Sequence, residues 1–177
     1  MSSPGAVHLH VHSEYSLLDG ACKLSSRKKN KKGEPVGRMS LAERAAELGM
    51  PALGLTDHGV MNGAVEHYKA CREHGIKPII GMEAYLVSDR NAIASQSRYE
   101  RNHLTLLAHN DEGFRNLARL SSAGFLEGFS RGKANLDMEL ISRHSKGVLA
   151  LSGCLQSRFC RRIVEDRPDD ARAHIDA

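Results

Sequence analysis

Apolar runs alternate with helix-like segments along this chain, and that alternation confines it to the α/β class. Val7–His12, Pro51–Thr56, Ile79–Val87, His103–His109 and Gly147–Leu151 read as strands. Between and after them, helices are predicted over Leu41–Leu48, Asn62–His74, Asn110 or Asp111 to about Leu120, Asp137–His144, Gln156–Glu165 and Asp169–Ala177. Ser40 with Glu43 forms a capping box, and Gly49 and Gly75 stop two of the helices. Ser25–Gly37, Ser88–Arg101 and Gly124–Lys133 are polar or glycine-rich and read as loops. Strict β-then-α order predicts parallel strands with crossover helices. Sites in such folds gather at the C-terminal ends of the strands.

The 177 residues suffice for one domain with a proper core. Hydrophobic content is 41%, and no stretch approaches the roughly 18 apolar residues of a membrane span. The N-terminus lacks a basic region followed by an apolar one, so no signal peptide is read. Cys22, Cys71, Cys154 and Cys160 form no CxxC pair, which favours free thiols or a ligand role in the cytoplasm. The net charge of +4 is compatible with a polyanionic partner, and part of it comes from the run Arg27–Lys32. With 5% aromatics and no tryptophan, a stacking platform for single-stranded bases is not supported.

The ten histidines carry more information, because several lie at strand ends. His10 and His12 are two residues apart on one run, so a strand would aim both imidazoles at one spot. Asp57 and His58 come just after the second apolar run, Glu83 is late in the third, and Cys154 lies past the last. His103 is out of pattern, at the start of its run. Metal-capable side chains at successive strand ends are hard to explain by packing, and they predict a metal or catalytic site.

These motifs resemble a known family. HLHVHSEYSLLDG, GLTDHG, GIKPIIGMEAY, NHLTLLA and LSGC are similar to the successive motifs of the PHP (polymerase and histidinol phosphatase) domain. The flanking EYSLLDGA and KPIIGMEAY are closest to the branch at the N-terminus of bacterial DNA polymerase III alpha subunits. The resemblance covers nearly the whole chain from Val7, so residues 1–177 are read as a PHP domain with a basic insert at about 25–39. It implies a distorted (β/α)7 barrel with up to three metal ions. His10, His12 and Glu83 would hold one ion. Glu83, bridging, would hold a second with His103 and Cys154. Asp19 and His58 would serve a third. His10, His12, Glu83 and His103 would carry catalysis. The ligand set suits Zn²⁺, with Mn²⁺ or Fe²⁺ as substitutes.

The family's late Asp-x-His motif is absent; His174 and Asp176 stand in the reverse order on a helix-like stretch. The chain is therefore expected to be an N-terminal piece, truncated before the last strands. The resemblance implies two functions from different classes. One is a metal-dependent phosphoesterase, as a 3′-5′ proofreading exonuclease of a replicative DNA polymerase acting on DNA. The other is a metal-stabilised module that braces the polymerase and docks a separate proofreading subunit of the replicase. A stand-alone histidinol-phosphate-type phosphatase fits the metal site but not the flanks. Intact ligands at all seven covered positions favour the enzyme.

The remaining residues carry weaker signals. Asp57 would either orient His58 or cap the following helix. His8 is read as structural or rim, and His74 as a helix-end cation. His67, His109, His144 and His174 are read as surface or packing residues, and Cys71 as core. Cys22 and Cys160 are unassigned. Arg101 could grip phosphate, but spacing does not single it out. The insert is read as a solvated, disordered loop rather than a nucleic-acid contact.

Overall fold

A computed structural model describes residues 5–92 and 100–176. They fall into two compact units: one is residues 5–57 with 61–81, and the other is 58–60 with 82–92 and 100–176.

In the first unit, β1 (Lys28–Lys29) and β2 (Pro35–Val36) form a small antiparallel hairpin. Helix α1 (Leu41–Glu47), strand β3 (Ala52–Leu55), helix α2 (Ala64–Glu73) and strand β4 (Lys77–Leu86) come next. The β3 strand pairs in parallel with the first half of β4, Leu53 opposite Pro78 and Leu55 opposite Ile80. That parallel pair needs a crossover, which α2 supplies. Ser40 caps α1 by accepting the Glu43 N–H, as its sequence position predicts. Ala42 and Ala45 of α1 pack with Leu53, Ala70, Cys71 and Ile76 to make the core of this unit. His67 and Cys71 are fully buried in α2, so they serve packing, and His67 Nε2 meets the Leu53 carbonyl at 3.0 Å.

Two expectations need correction here. Val7–His12 is not a regular strand. Only His8 forms a bridge, in parallel with Leu53. The Val11 N–H is taken by Thr56 Oγ1 at 2.9 Å rather than by a backbone carbonyl, which interrupts the ladder. The basic insert is a hairpin rather than an irregular loop. Asn30 holds its turn, its Oδ1 accepting from the N–H groups of Lys32 and Glu34.

In the second unit, the end of β4 lies beside β5 (Asn102–Ala108) and β7 (Lys133–Leu136), with β6 (Phe129–Ser130) and β8 (Val148–Leu151) at the flanks. Strand β7 is parallel to β4, Tyr85 opposite Asn135. Strands β6 and β7 are antiparallel, and so are β5 and β8, with Thr105 opposite Leu151 and Ala108 opposite Val148. The sheet is therefore mixed, not parallel as the β-then-α order predicts. Helix α3 (Asp111–Leu126) packs on β5 and β7. Leu117 and Leu120 from α3, Leu106 from β5 and Leu136 from β7 are all buried. Helices α4 (Met138–Arg143), α5 (Arg158–Val164) and α6 (Pro168–Asp176) complete the unit, and α5 and α6 pack together.

Helix α3 also runs past the predicted end near Leu120, through the start of the glycine-rich stretch read as a loop. Gly124 faces β7, where a Cβ would meet Ala134 Cβ and Leu136 Cδ2 at 3.2 Å. The glycine allows close helix-to-strand approach instead of ending the helix. The remainder of that stretch leads into the β6–β7 hairpin and is not irregular chain. Of the predicted loop over residues 88–101, positions 93–99 lie outside the described residues.

Candidate metal centre

Each unit brings a set of the predicted ligands together. In the first, the His10 and His12 rings are edge-to-face with centroids 5.0 Å apart. His12 Nε2 lies 3.5 Å from Asp19 Oδ2. The loop after His12 folds back through tight turns: the Asp19 and Gly20 N–H groups both donate to the Ser16 carbonyl. Asp57 anchors this loop. Its Oδ1 accepts from the Ser13 N–H at 2.7 Å and Ser16 Oγ at 2.6 Å, and its Oδ2 accepts from Ser13 Oγ at 2.7 Å. Asp57 is 1% exposed, so these bonds offset the cost of burying a carboxylate. Its role is thus to hold the loop that carries His12 and Asp19, which neither sequence alternative named.

In the second unit Glu83 is the hub. Its carboxylate is 1% exposed near the end of β4. His58 forms a bridge beside Glu83, and the Gly59 N–H donates to the Glu83 carbonyl at 2.8 Å. Gly59 has φ +68°, a left-handed conformation that glycine adopts without strain, so the chain turns immediately after His58. His58 Nδ1 then sits 2.8 Å from Glu83 Oε2. His103 Nδ1 lies 3.1 Å from the other oxygen, Oε1. Cys154 Sγ lies 3.7 Å from Oε1 and 3.6 Å from His103 Nδ1. His58, Glu83 and His103 form a group able to hold a metal ion.

The spacing of Glu83 Oε1, His103 Nδ1 and Cys154 Sγ passes a geometric test. Ligand atoms bonded to one tetrahedral ion at about 2.0–2.3 Å lie roughly 3.3–3.7 Å from each other. The three separations, 3.1, 3.6 and 3.7 Å, fall on or close to that range. Oxygen, nitrogen and sulfur from three separate segments meet at ligand spacing. Burial pushes the Cys154 thiol above its ordinary pKa, and the nearby Glu83 carboxylate adds to the rise. A bound cation reverses that balance and holds the thiolate.

The out-of-pattern position of His103 results from the antiparallel pairing. The start of β5 adjoins the end of β8, so His103 meets the LSGC turn that carries Cys154. The His103 N–H donates to the Gln156 carbonyl at 3.1 Å, and the Gln156 N–H points at Cys154 Sγ at 3.4 Å. Parallel strands would have put His103 at the wrong end.

Sequence reasoning did not assign Tyr85 a role. Its ring stacks on His58, with centroids 5.6 Å apart and planes 11° apart, and meets His103 edge-on at 5.4 Å. The signal was available, because Tyr85 is two residues beyond Glu83 and shares its strand face. His8 is exposed, consistent with a rim position. Among the described residues, no helix is long and apolar enough to cross a membrane.

Comparison with known proteins agrees with these motifs. The PHP domain family matches residues 36–177. The DNA polymerase III subunit alpha of Deinococcus radiodurans is 44% identical over 174 residues, which cover 95% of this chain and 12% of the relative. The same subunit of Helicobacter pylori strain 26695 is 46% identical over 149 residues, 84% of this chain and 11% of the relative. That of Thermus aquaticus is 42% identical over 178 residues, 95% and 13%. The chain thus spans between 11% and 13% of the length of these relatives. With four-fifths of its length matched by the family model and its motif residues converging within each unit, the chain belongs to the PHP domain family.

Proposed function

We propose that this chain is the metal-dependent phosphoesterase domain of a replicative DNA polymerase alpha subunit, and that its reaction is hydrolysis of a phosphodiester at a DNA 3′ end. The observation that carries the reading is the meeting of Glu83 Oε1, His103 Nδ1 and Cys154 Sγ at ligand spacing. The polymerase context is supported by the names of the relatives and by the branch-specific flanks.

In this reading Glu83, His103 and Cys154 hold one ion. The family resemblance implies that His10, His12, Asp19 and His58 would serve the further ions. Zn²⁺ suits the nitrogen, oxygen and sulfur donors, with Mn²⁺ or Fe²⁺ as substitutes. When bound, such ions supply hydroxide at neutral pH and polarise the phosphoryl oxygen. The protein's own part is orientation. The contact of His58 Nδ1 with Glu83 Oε2 leaves Oε1 to His103 and Cys154. Burial of Glu83 keeps water from competing for its oxygens. The replicase subunits, including a proofreading exonuclease, are the expected partners of the whole protein.

The test is metal analysis of the purified 177-residue chain, together with exonuclease assays on a mismatched primer using the longest product the gene encodes. Bound zinc and 3′-end hydrolysis that is lost with Glu83→Gln support the proposal. Bound metal without hydrolysis in the longer product favours the bracing module. No bound metal at all defeats both.

A further inference from the structure

Two cations converge on the ring that backs the metal-capable histidines. Lys133 Nζ lies 4.9 Å from the Tyr85 centroid and Arg101 Cζ lies 5.7 Å from it. The same ring touches His58 and His103. Both cations are half-buried. One buried side chain positions them. Asn135 has no exposed surface, and its Oδ1 accepts from Arg101 Nε at 2.7 Å. Its Nδ2 donates to the Lys133 carbonyl at 2.9 Å and the Gly128 carbonyl at 2.8 Å. Arg101 Nη2 also donates to the Ser130 carbonyl at 3.3 Å. The β6–β7 hairpin, absent from the sequence expectation, is what brings Lys133 to Tyr85.

A packing role does not require this arrangement. Two like charges at one ring make a positive field there, which favours an anion. An arginine held through Nε and one terminal nitrogen is pre-organised, so little rotamer entropy remains to be lost on binding an oxyanion.

We infer that Arg101 and Lys133, set by Asn135 against Tyr85, form an oxyanion subsite that positions a substrate phosphate beside the Glu83 cluster. This rests on the phosphoesterase reading and adds the residues that grip the substrate. Arg101 contributes planar donors and Lys133 a point charge. Asn135 is a positioning residue.

The experiment measures binding of inorganic phosphate and of a short single-stranded oligonucleotide to the 177-residue chain, metal-free and zinc-loaded. Arg101→Ala and Lys133→Ala are each expected to weaken binding about tenfold or more, the scale of a lost charge-assisted hydrogen bond. Arg101→Lys is expected to recover only part of the loss. Zinc content and Tm are measured alongside, and neither is expected to change. A loss with both ligands puts the cations on the phosphate itself; a loss with the oligonucleotide alone puts them on a neighbouring phosphate. Either result supports the subsite. Unchanged affinity in both variants overturns it, and so does a wild-type chain that binds neither ligand in either state. Failure of the metal reading would show separately as absent zinc, because the metal-free arm still reports on the cations.

Discussion

His103 opens strand β5, yet its Nδ1 lies 3.6 Å from Sγ of Cys154, which lies just past strand β8. Antiparallel pairing of the two strands is the cause, with Thr105 opposite Leu151. Cys154→Ser tests this relationship directly. Exchanging a thiolate for a hydroxyl removes a direct ligand, while loss of even an outer partner costs about 10–100-fold in affinity. Zinc affinity measured by chelator competition is expected to fall by more than about 100-fold. Wild-type affinity in the variant would falsify the assignment of Cys154.

Ions should bind unequally to the 177 residues. The Glu83, His103 and Cys154 set is complete in the ligands the family resemblance assigns to it. The other two sets call on an Asp-x-His that these residues lack. Zinc titration is expected to give one tight ion and weaker binding beyond it. Three tight ions of equal affinity would contradict the assignment.

Asp57 controls the loop that carries His12 and Asp19. Asp57→Ala removes three hydrogen bonds to a buried carboxylate and frees the Ser13 and Ser16 groups it holds. Urea unfolding is expected to show a loss of about 3 kcal/mol, since each bond to a charged group contributes roughly 1.5–3 kcal/mol. Amide exchange across residues 13–20 is expected to accelerate. A loss below about 0.5 kcal/mol, the scale of an ordinary surface change, would mean the loop is held by other contacts.

Arg90 and Asp137 form a buried ion pair, Nη1 to Oδ1 2.8 Å, and Asp137 also caps α4. Burial alone would raise the Asp137 pKa. The N–H groups of Arg90 and Leu140 and the Arg90 guanidinium outweigh it and hold the carboxyl below its ordinary 3.8. A depressed carboxyl stabilises the fold above its unfolded pKa, and the contribution fades as pH falls through the folded value. Arg90→Met is expected to cost about 3 kcal/mol at pH 7, because it leaves a buried charge uncompensated. The gap between wild type and Asp137→Asn should be constant from about pH 5 to 7 and narrow below about pH 4. A gap that widens toward acid pH would show the opposite sign.

The basic hairpin should be separable from the fold. Both strands are exposed, and Lys28 faces Val36 across the hairpin, so the chain can be rejoined there. Deleting Lys28–Val36 keeps Arg27 and its pairing with Glu43. The circular dichroism spectrum and zinc content are expected to match the parent chain. Loss of the helical signal would show that the hairpin packs.

What the sequence determined by itself is what short-range chemistry controls. The cap at Ser40 was legible, and Asn110 was one of two possible starts for α3, because a capping side chain needs only the N–H two or three residues on. The buried strand β3 and the ligand motifs were legible for a similar reason: each is a local run of residue types. Tertiary structure decided the rest, because partners far apart in sequence made the choice. Thr56 Oγ1 took the Val11 N–H and broke the first expected strand into one bridge. Contact with Ala134 and Leu136 turned Gly124 from a loop signal into a helix interior. The β5–β8 pairing reversed the strand direction that β-then-α order predicts and brought His103 to Cys154. Lys133 carried no sequence signal, since its place beside Tyr85 depends on the β6–β7 hairpin and on buried Asn135. Residue type fixes what a side chain can ligate or cap; strand direction and register fix which side chains meet, and both are set by contacts between segments dozens of residues apart.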